Sequence, residues 1–197
     1  MNVLLVTAHP LSDSLCAALA ERAAVVLVEA GHDVAWEDLY AQAFAPALTR
    51  TERASYYASA YAGAAVAGQA ERLLAADAIV LVFPTWWFGF PAILKGWFDR
   101  VWGPGIAYDH ADDLGPIKPR LGKLRRVLAV TSLGSPWWVD TLVMRRPLRR
   151  ILKVALLGTC APNCRFEMLS LYKAEKLDPE RARRFGDRIK RSIFGWN

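Results

Sequence analysis

Three short apolar runs most constrain what this chain can fold into: Val3-Leu4-Leu5-Val6-Thr7, Ala78-Ile79-Val80-Leu81-Val82-Phe83 and Val127-Leu128-Ala129-Val130-Thr131. Each is continuous rather than alternating, is rich in β-branched residues and is too short for an ordinary helix. That pattern belongs to strands buried on both faces. Such strands need helices on both sides, and the intervening sequence supplies them. Ser12-Asp13-Ser14 offers N-cap side chains ahead of an apolar-periodic stretch over 15–30, and Gly31 follows as its stop. A second strand is expected over 32–36 and an Ala-rich helical stretch over 49–77, weakened by Gly63 and Gly68. A helix entered through Pro91 is expected over 93–102, and another over 141–157 that Pro147 must interrupt. A fifth strand falls on 165–171. Asp178-Pro179-Glu180 then opens a last helix running to about residue 193.

Strands alternating with helices in this way make a parallel sheet covered on both faces. Five such units in 197 residues fit one domain over 1–197. The expected architecture is α/β: a flavodoxin-like, doubly wound, five-stranded parallel sheet of order 2-1-3-4-5, with helices on both faces. With 54% hydrophobic and 22% charged residues the chain can bury a sizeable core. No apolar run approaches the ~20 residues that span a bilayer, and no secretory leader pattern is visible. Cys16, Cys160 and Cys164 form neither a disulfide framework nor a metal-ligand spacing. A cytoplasmic protein without membrane insertion or bound metal is therefore expected. The net charge of +6 is spread over several segments. It reads as solvated basic faces rather than a nucleic-acid footprint. Residues 103–122, rich in Gly, Pro and Asp, read as a long loop.

In an open parallel sheet, ligands bind beyond the carboxyl ends of the strands, where strand order reverses. Three loops lie there. After the first strand, His9-Pro10-Leu11-Ser12-Asp13-Ser14 feeds a helix N-terminus, whose free amides and dipole favour phosphate. His9 and Ser14 are placed to donate to it. Neither GxGxxG nor GxxxxGK(S/T) is present, so this is no dinucleotide fingerprint or P-loop. After the third strand, Pro84-Thr85-Trp86-Trp87-Phe88-Gly89-Phe90-Pro91 crowds aromatic rings between two prolines. Such a loop either packs on protein or forms a wall for a flat ring, with the amides of 85–88 facing its polar edge. After the fourth strand, Thr131-Ser132-Leu133-Gly134-Ser135 is small enough to let backbone approach a ligand, and Pro136-Trp137-Trp138 follows it.

With these loops in place, the chain resembles the NAD(P)H:quinone oxidoreductases, the flavodoxin-like quinone reductases. The resemblance rests on His9, Pro10 and Ser14, on Asp38-Leu39-Tyr40, and above all on Pro84-x-x-Trp87-Phe88-Gly89-x-Pro91-Ala92-Ile93-Leu94-Lys95-Gly96-Trp97-Phe98-Asp99-Arg100-Val101. It runs from Val3 to about Gly134 and is weak beyond. It implies a flavin, FAD with FMN as the alternative, NAD(P)H as hydride donor, and a ping-pong two-electron reduction of quinones or similar flat acceptors. It places flavin contacts on His9, Ser14, Leu15 and Cys16, on Pro84, Thr85, Trp86, Trp87, Phe88 and Gly89, and on Thr131, Ser132, Leu133 and Gly134. It assigns Tyr108 and His110 to substrate binding across a homodimer interface with shared active sites.

The departures from the family pattern bear on the acceptor. The Tyr and His that assist hydride transfer in animal members align with Val139 and Arg145, so no catalytic side chain is assigned. Cys16 replaces an Asn, Leu15 a Phe, and Leu133-Gly134 a Gly-Gly turn. Two alternatives stay open: a nitro-, azo- or FMN reductase on the same scaffold, or a flavoprotein regulatory subunit of a potassium efflux system that docks through the basic segments 118–126 and 145–153.

Overall fold

The structure is a computed structural model and describes residues 1–111 and 115–196. The buried apolar runs become β1 (Asn2–Thr7), β3 (Ala78–Pro84) and β6 (Arg126–Ser132); β2 (Asp33–Asp38) and β7 (Arg165–Leu171) complete a five-stranded parallel sheet. The order β2-β1-β3-β6-β7 is the expected 2-1-3-4-5. The additional strands β4 (Tyr108–Asp109) and β5 (Lys118–Pro119) pair antiparallel inside the stretch expected as loop. The part of that stretch at 112–114 lies outside the described residues.

Alternate residues of each strand feed opposite faces. Leu4, Val6, Ile79, Leu81, Phe83, Val127 and Ala129 join one core with residues of α3 (Ala67–Ala75), α4 (Ala92–Val101) and α5 (Pro147–Arg150). Val3, Leu5, Val80, Val82, Leu128, Val130, Leu169 and Leu171 join the other with α1 (Leu15–Glu29) and α7 (Pro179–Phe194). The caps agree with the sequence: Ser14 Oγ accepts from the Ala17 amide, Asp178 Oδ1 from the Arg181 amide, and Gly31 follows α1 at φ 77°.

Two helical expectations need correction. The stretch 49–77 is not one helix. It breaks into α2 (Arg50–Ala54), single turns at Ser55–Tyr57 and Ala64–Val66, and α3. Tertiary bonds account for the break. The Tyr56 and Tyr61 hydroxyls donate to the Asp99 and Arg100 carbonyls at 2.7 and 2.9 Å, at the end of α4 where helical carbonyls lack intrahelical partners. The stretch 141–157 is wound mostly as π-helix, over Val139–Val143 and Ile151–Leu157, with α5 between and α6 (Gly158–Cys160) after. The interruption comes ahead of Pro147, where Arg145 and Arg146 both take left-handed backbone.

The run that carries the family resemblance is held by structural contacts along α4. Trp97 Nε1 donates to Glu37 Oε1 at 2.7 Å, and the same fully buried carboxylate accepts from Arg72 Nε at 3.0 Å. Arg100, 4% exposed, forks onto Glu52 with Nη2–Oε1 at 2.7 Å and reaches the Ala45 carbonyl with Nη1. Gly96 lies so close to Pro46 that a Cβ there would collide with the proline backbone.

Candidate flavin site at the carboxyl ends of the strands

The loops after β1, β3 and β6 come together at the carboxyl pole of the sheet. In the first, His9 Nδ1 lies 3.1 Å from the Leu11 amide and 3.3 Å from the Leu11 carbonyl, so the loop engages this ring nitrogen and leaves Nε2 for a ligand. Ser14 spends its oxygen on capping α1 but keeps its hydroxyl proton. The amides of Leu15 and Cys16, in the first turn of α1, have no partner among the described residues. Free amides at a helix N-terminus are an arrangement that favours an anion. The Cys16 thiol takes no part. It is 4% exposed, and burial followed by the Asp38 charge raises its pKa to about 12. A cavity of about 490 Å³ opens from His9, Leu11 and Cys16 toward Trp36, Asp38 and Tyr40. Trp36 and Tyr40 therefore join the candidate site, although the sequence reading did not assign them; their place directly at the end of β2 was the available signal. Asp38 is committed elsewhere, with Oδ1 accepting from the Tyr40 and Ala41 amides.

The aromatic loop is a two-residue hairpin turn. The Gly89 amide donates to the Trp86 carbonyl at 2.8 Å and the Trp86 amide to the Gly89 carbonyl at 3.2 Å. Trp87 and Phe88 occupy the central positions at φ 51° and 57°. Such a turn ordinarily carries Asn-Gly, because both central residues need left-handed backbone. Large side chains there are disfavoured by ~1–2 kcal/mol each. Trp87 is also 100% exposed. The expectation that all amides of 85–88 face a ligand is corrected: Thr85 N–H is bonded to the Ser132 carbonyl and Trp86 N–H closes the turn. Only the Trp87 and Phe88 amides remain. Pro84 ends β3 beneath this loop.

The third loop meets the second directly. Thr85 Oγ1 and Thr131 Oγ1 share a hydrogen bond of 2.7 Å. Ser132 pairs in register with Pro84 and with Leu171. The Leu133 amide is spent on the Leu171 carbonyl, so backbone donors from this loop come from Gly134 and Ser135. Ser135 Oγ is buried and has no partner among the described residues. An orphaned buried hydroxyl costs stability unless a ligand or water satisfies it. Together with the free amides and His9 Nε2, it makes the donor set fit the phosphate and the polar ring edge of a flavin.

Val139 and Arg145 do not form a reactive pair: Val139 begins a π-helical turn and Arg145 sits on left-handed backbone. Beside them, the Tyr172 hydroxyl donates to Asp140 Oδ2 at 2.8 Å. Burial, then this bond and the carboxylate charge, push the Tyr172 pKa up. Both line a cavity of about 270 Å³ that includes Thr85 and Leu133.

Tyr108 and His110 lie against each other at 5.3 Å, and Tyr57 stacks on His110 at 4.5 Å. Burial leads the causes that raise the Tyr108 pKa to about 12. His110 borders its own cavity with Tyr57, Tyr61 and Pro104, apart from the one at His9. Within one chain the structure does not bring this pair to the aromatic loop. Tyr57 is a member of the group that sequence reasoning missed.

Residues 1–181 match the family described as flavodoxin-like fold. The chain belongs to that family. Among solved flavodoxin-like structures, an NAD(P)H:quinone oxidoreductase from Methanothermobacter marburgensis superimposes with a TM-score of 0.87 at 28% identity, covering 100% of this chain and 99% of that one. The Smu.1420 protein of Streptococcus mutans gives 0.84 at 25%, covering 99% and 100%. In sequence, the chain is 33% identical over 152 residues to NAD(P)H dehydrogenase (quinone) 1 of Rattus norvegicus, covering 68% of this chain and 54% of that protein. The flavodoxin-like chain thus spans about half the length of the curated relatives it matches.

Proposed function

We propose that this protein is a flavin-dependent NAD(P)H oxidoreductase that reduces quinones or similar flat acceptors by two electrons. The observation that carries the reading is the Trp87-Phe88 turn: two strained, left-handed aromatic residues with free amides, set against Thr85–Thr131 and the unpartnered Ser135 hydroxyl. Strain of this kind persists where a ligand site uses it. Relatives named NAD(P)H dehydrogenase and NAD(P)H:quinone oxidoreductase support the donor and acceptor classes. The flavin supplies reversible two-electron hydride chemistry. The residues of this chain do the rest. Leu15 and Cys16 amides with His9 Nε2 hold phosphate, Trp86 to Gly89 wall one edge of the ring, and Thr131 to Ser135 the other. FAD is the proposed cofactor. The cavity that continues past the phosphate loop to the half-exposed Trp36 indole has room for more than a single phosphate.

The separation of the His110 cavity from the His9 cavity supports a homodimer in which Tyr108 and His110 serve the partner's site. The acceptor then stacks in a slot closed by both chains, held by few directional contacts. Purified protein is expected to be yellow, to lose flavin absorbance with NADH or NADPH without oxygen, and to regain it on adding a benzoquinone. Protein that stays colourless and takes up neither FAD nor FMN overturns the reading. Separation of the heat-released flavin against standards decides between the two. No helix among the described residues is long and apolar enough to cross a membrane.

A further inference from the structure

The opposite pole of the molecule carries a further cavity, of about 560 Å³, at the start of the last two sheet strands. Arg126 and Arg165 are the first residues of β6 and β7 and lie directly opposite each other in register. Arg188 and Arg191, one turn apart on the last part of α7, line the same cavity, and Phe166 and Trp196 contribute its apolar walls. Four guanidinium groups thus face one space of the size that holds small ligands.

The charge here is not balanced by the protein. None of the four arginines makes an ion pair among the described residues. The cavity contains a single carboxylate, Glu167, and that one accepts from the Ser192 hydroxyl at 2.5 Å. Asp187, next to Arg188 on α7, makes no ion pair with an arginine among the described residues. Arg188 lies over the Phe185 ring at 5.5 Å and makes no ion pair among the described residues. Like charges opposite each other across a ladder, and one turn apart on a helix, are each destabilising. A cation near the end of α7 complements the helix dipole, which accounts for one of these residues but not for Arg126 and Arg165. Arg188, Arg191 and Trp196 also fall beyond residue 181, where the family match ends.

We infer that this pocket binds a ligand carrying a diphosphate or triphosphate group. The planar guanidinium fork matches phosphate oxygens and is weakly hydrated, which is why it serves this role better than Lys. A monophosphate brings about two charges, fewer than the excess here; a chain of phosphates matches it. Arg126 and Arg165 set the site where the strands begin rather than where they end; Arg188 also borders the cavity of Asp140 and Tyr172, so the test is placed on Arg165 and Arg191, which do not line that cavity.

The test is calorimetric titration of the full-length protein at 0.15 M salt with inorganic diphosphate, ADP, inorganic phosphate and sulfate, repeated on Arg165→Gln, Arg191→Gln and the double variant. Both side chains are exposed and each variant removes one member of a like-charged pair, so the variants are expected to melt no lower than the parent, which is measured alongside. Diphosphate should bind one per chain and more tightly than phosphate or sulfate. Each single variant should weaken it roughly tenfold, and the double variant should abolish it. ADP binding above diphosphate identifies a nucleotide as the natural source; equal binding identifies the phosphate chain alone. Absence of diphosphate binding, equal response to sulfate, or undiminished binding in the double variant overturns the inference. None of these readouts depends on bound flavin, so a failure here is separable from a failure of the proposed activity.

Discussion

Replacing Arg100 by methionine removes the charge that ties α4 to α2 while keeping much of the side-chain volume. Glu52 would be left 2% exposed and without its cation, with the Thr49 amide still on its Oε2. Removing one partner of a buried ion pair typically costs about 3–5 kcal/mol, because the remaining charge stays desolvated. Both side chains are almost fully buried, at 5% and 2% exposure, so solvent screening does not dilute this. For a chain of this size that corresponds to a fall in Tm of roughly 6–20 °C. The double variant with Glu52→Met removes both charges; it also forfeits the capping box at Thr49, worth ~1 kcal/mol. It should nevertheless be more stable than R100M by about 2 kcal/mol or more. Acid unfolding gives a second readout. Burial alone would raise the Glu52 pKa, but the Arg100 and Thr49 bonds outweigh it and the net shift is downward. A carboxylate held low stabilises the fold above the ordinary carboxylate range and loses that contribution as pH falls through its folded pKa. R100M should flatten this acid arm. Urea denaturation monitored by Trp fluorescence at pH 7 and pH 4 measures both effects. An R100M protein within about 1 kcal/mol of the parent, or a double variant as unstable as the two singles added, refutes the account.

Gly96→Ala should destabilise by about 3 kcal/mol or more, seen as a large Tm drop, because its methyl meets the Pro46 backbone rather than a movable side chain. Trp87→Gly should raise stability by ~1 kcal/mol through relief of left-handed strain, while flavin retention on dialysis falls; unchanged retention would remove Trp87 from the site. Tyr172→Phe leaves Asp140 without its hydroxyl donor and should cost about 1–3 kcal/mol by urea denaturation. Burial raises the thiol pKa values to about 12 for Cys16 and about 11 for Cys160 and Cys164. Iodoacetamide at pH 8 should therefore label native protein far more slowly than urea-unfolded protein, by mass spectrometry.

The sheet was readable because its three central strands are buried on both faces, so burial alone writes Ile79 to Phe83 and Val127 to Val130 as continuous apolar runs. The N-caps Ser14 and Asp178 were readable because their effect is local. What stayed hidden depends on distant partners. Nothing near Tyr56 or Tyr61 indicates that their hydroxyls end α4 and so interrupt the helix expected over 49–77. At the candidate site, residue identity pointed to three loops that the fold brings together, but not to which amides were already spent. Thr85 and Leu133 lose theirs to Ser132 and Leu171, partners set by sheet register. Tyr57 escaped for the same reason, since only the folded chain lays it on His110.

The α4 run has a practical consequence for how such proteins are sorted. Lys95 to Val101 is the stretch a sequence reader trusts most, yet its polar members Trp97 and Arg100 and the close approach at Gly96 serve the scaffold. If the turn holds flavin as proposed, a descendant could lose Trp87-Phe88, and with it the cofactor, while keeping every one of those residues. Surveys that count reductases by this stretch would go on counting such a protein. The eight residues from Pro84 to Pro91 are the better census mark.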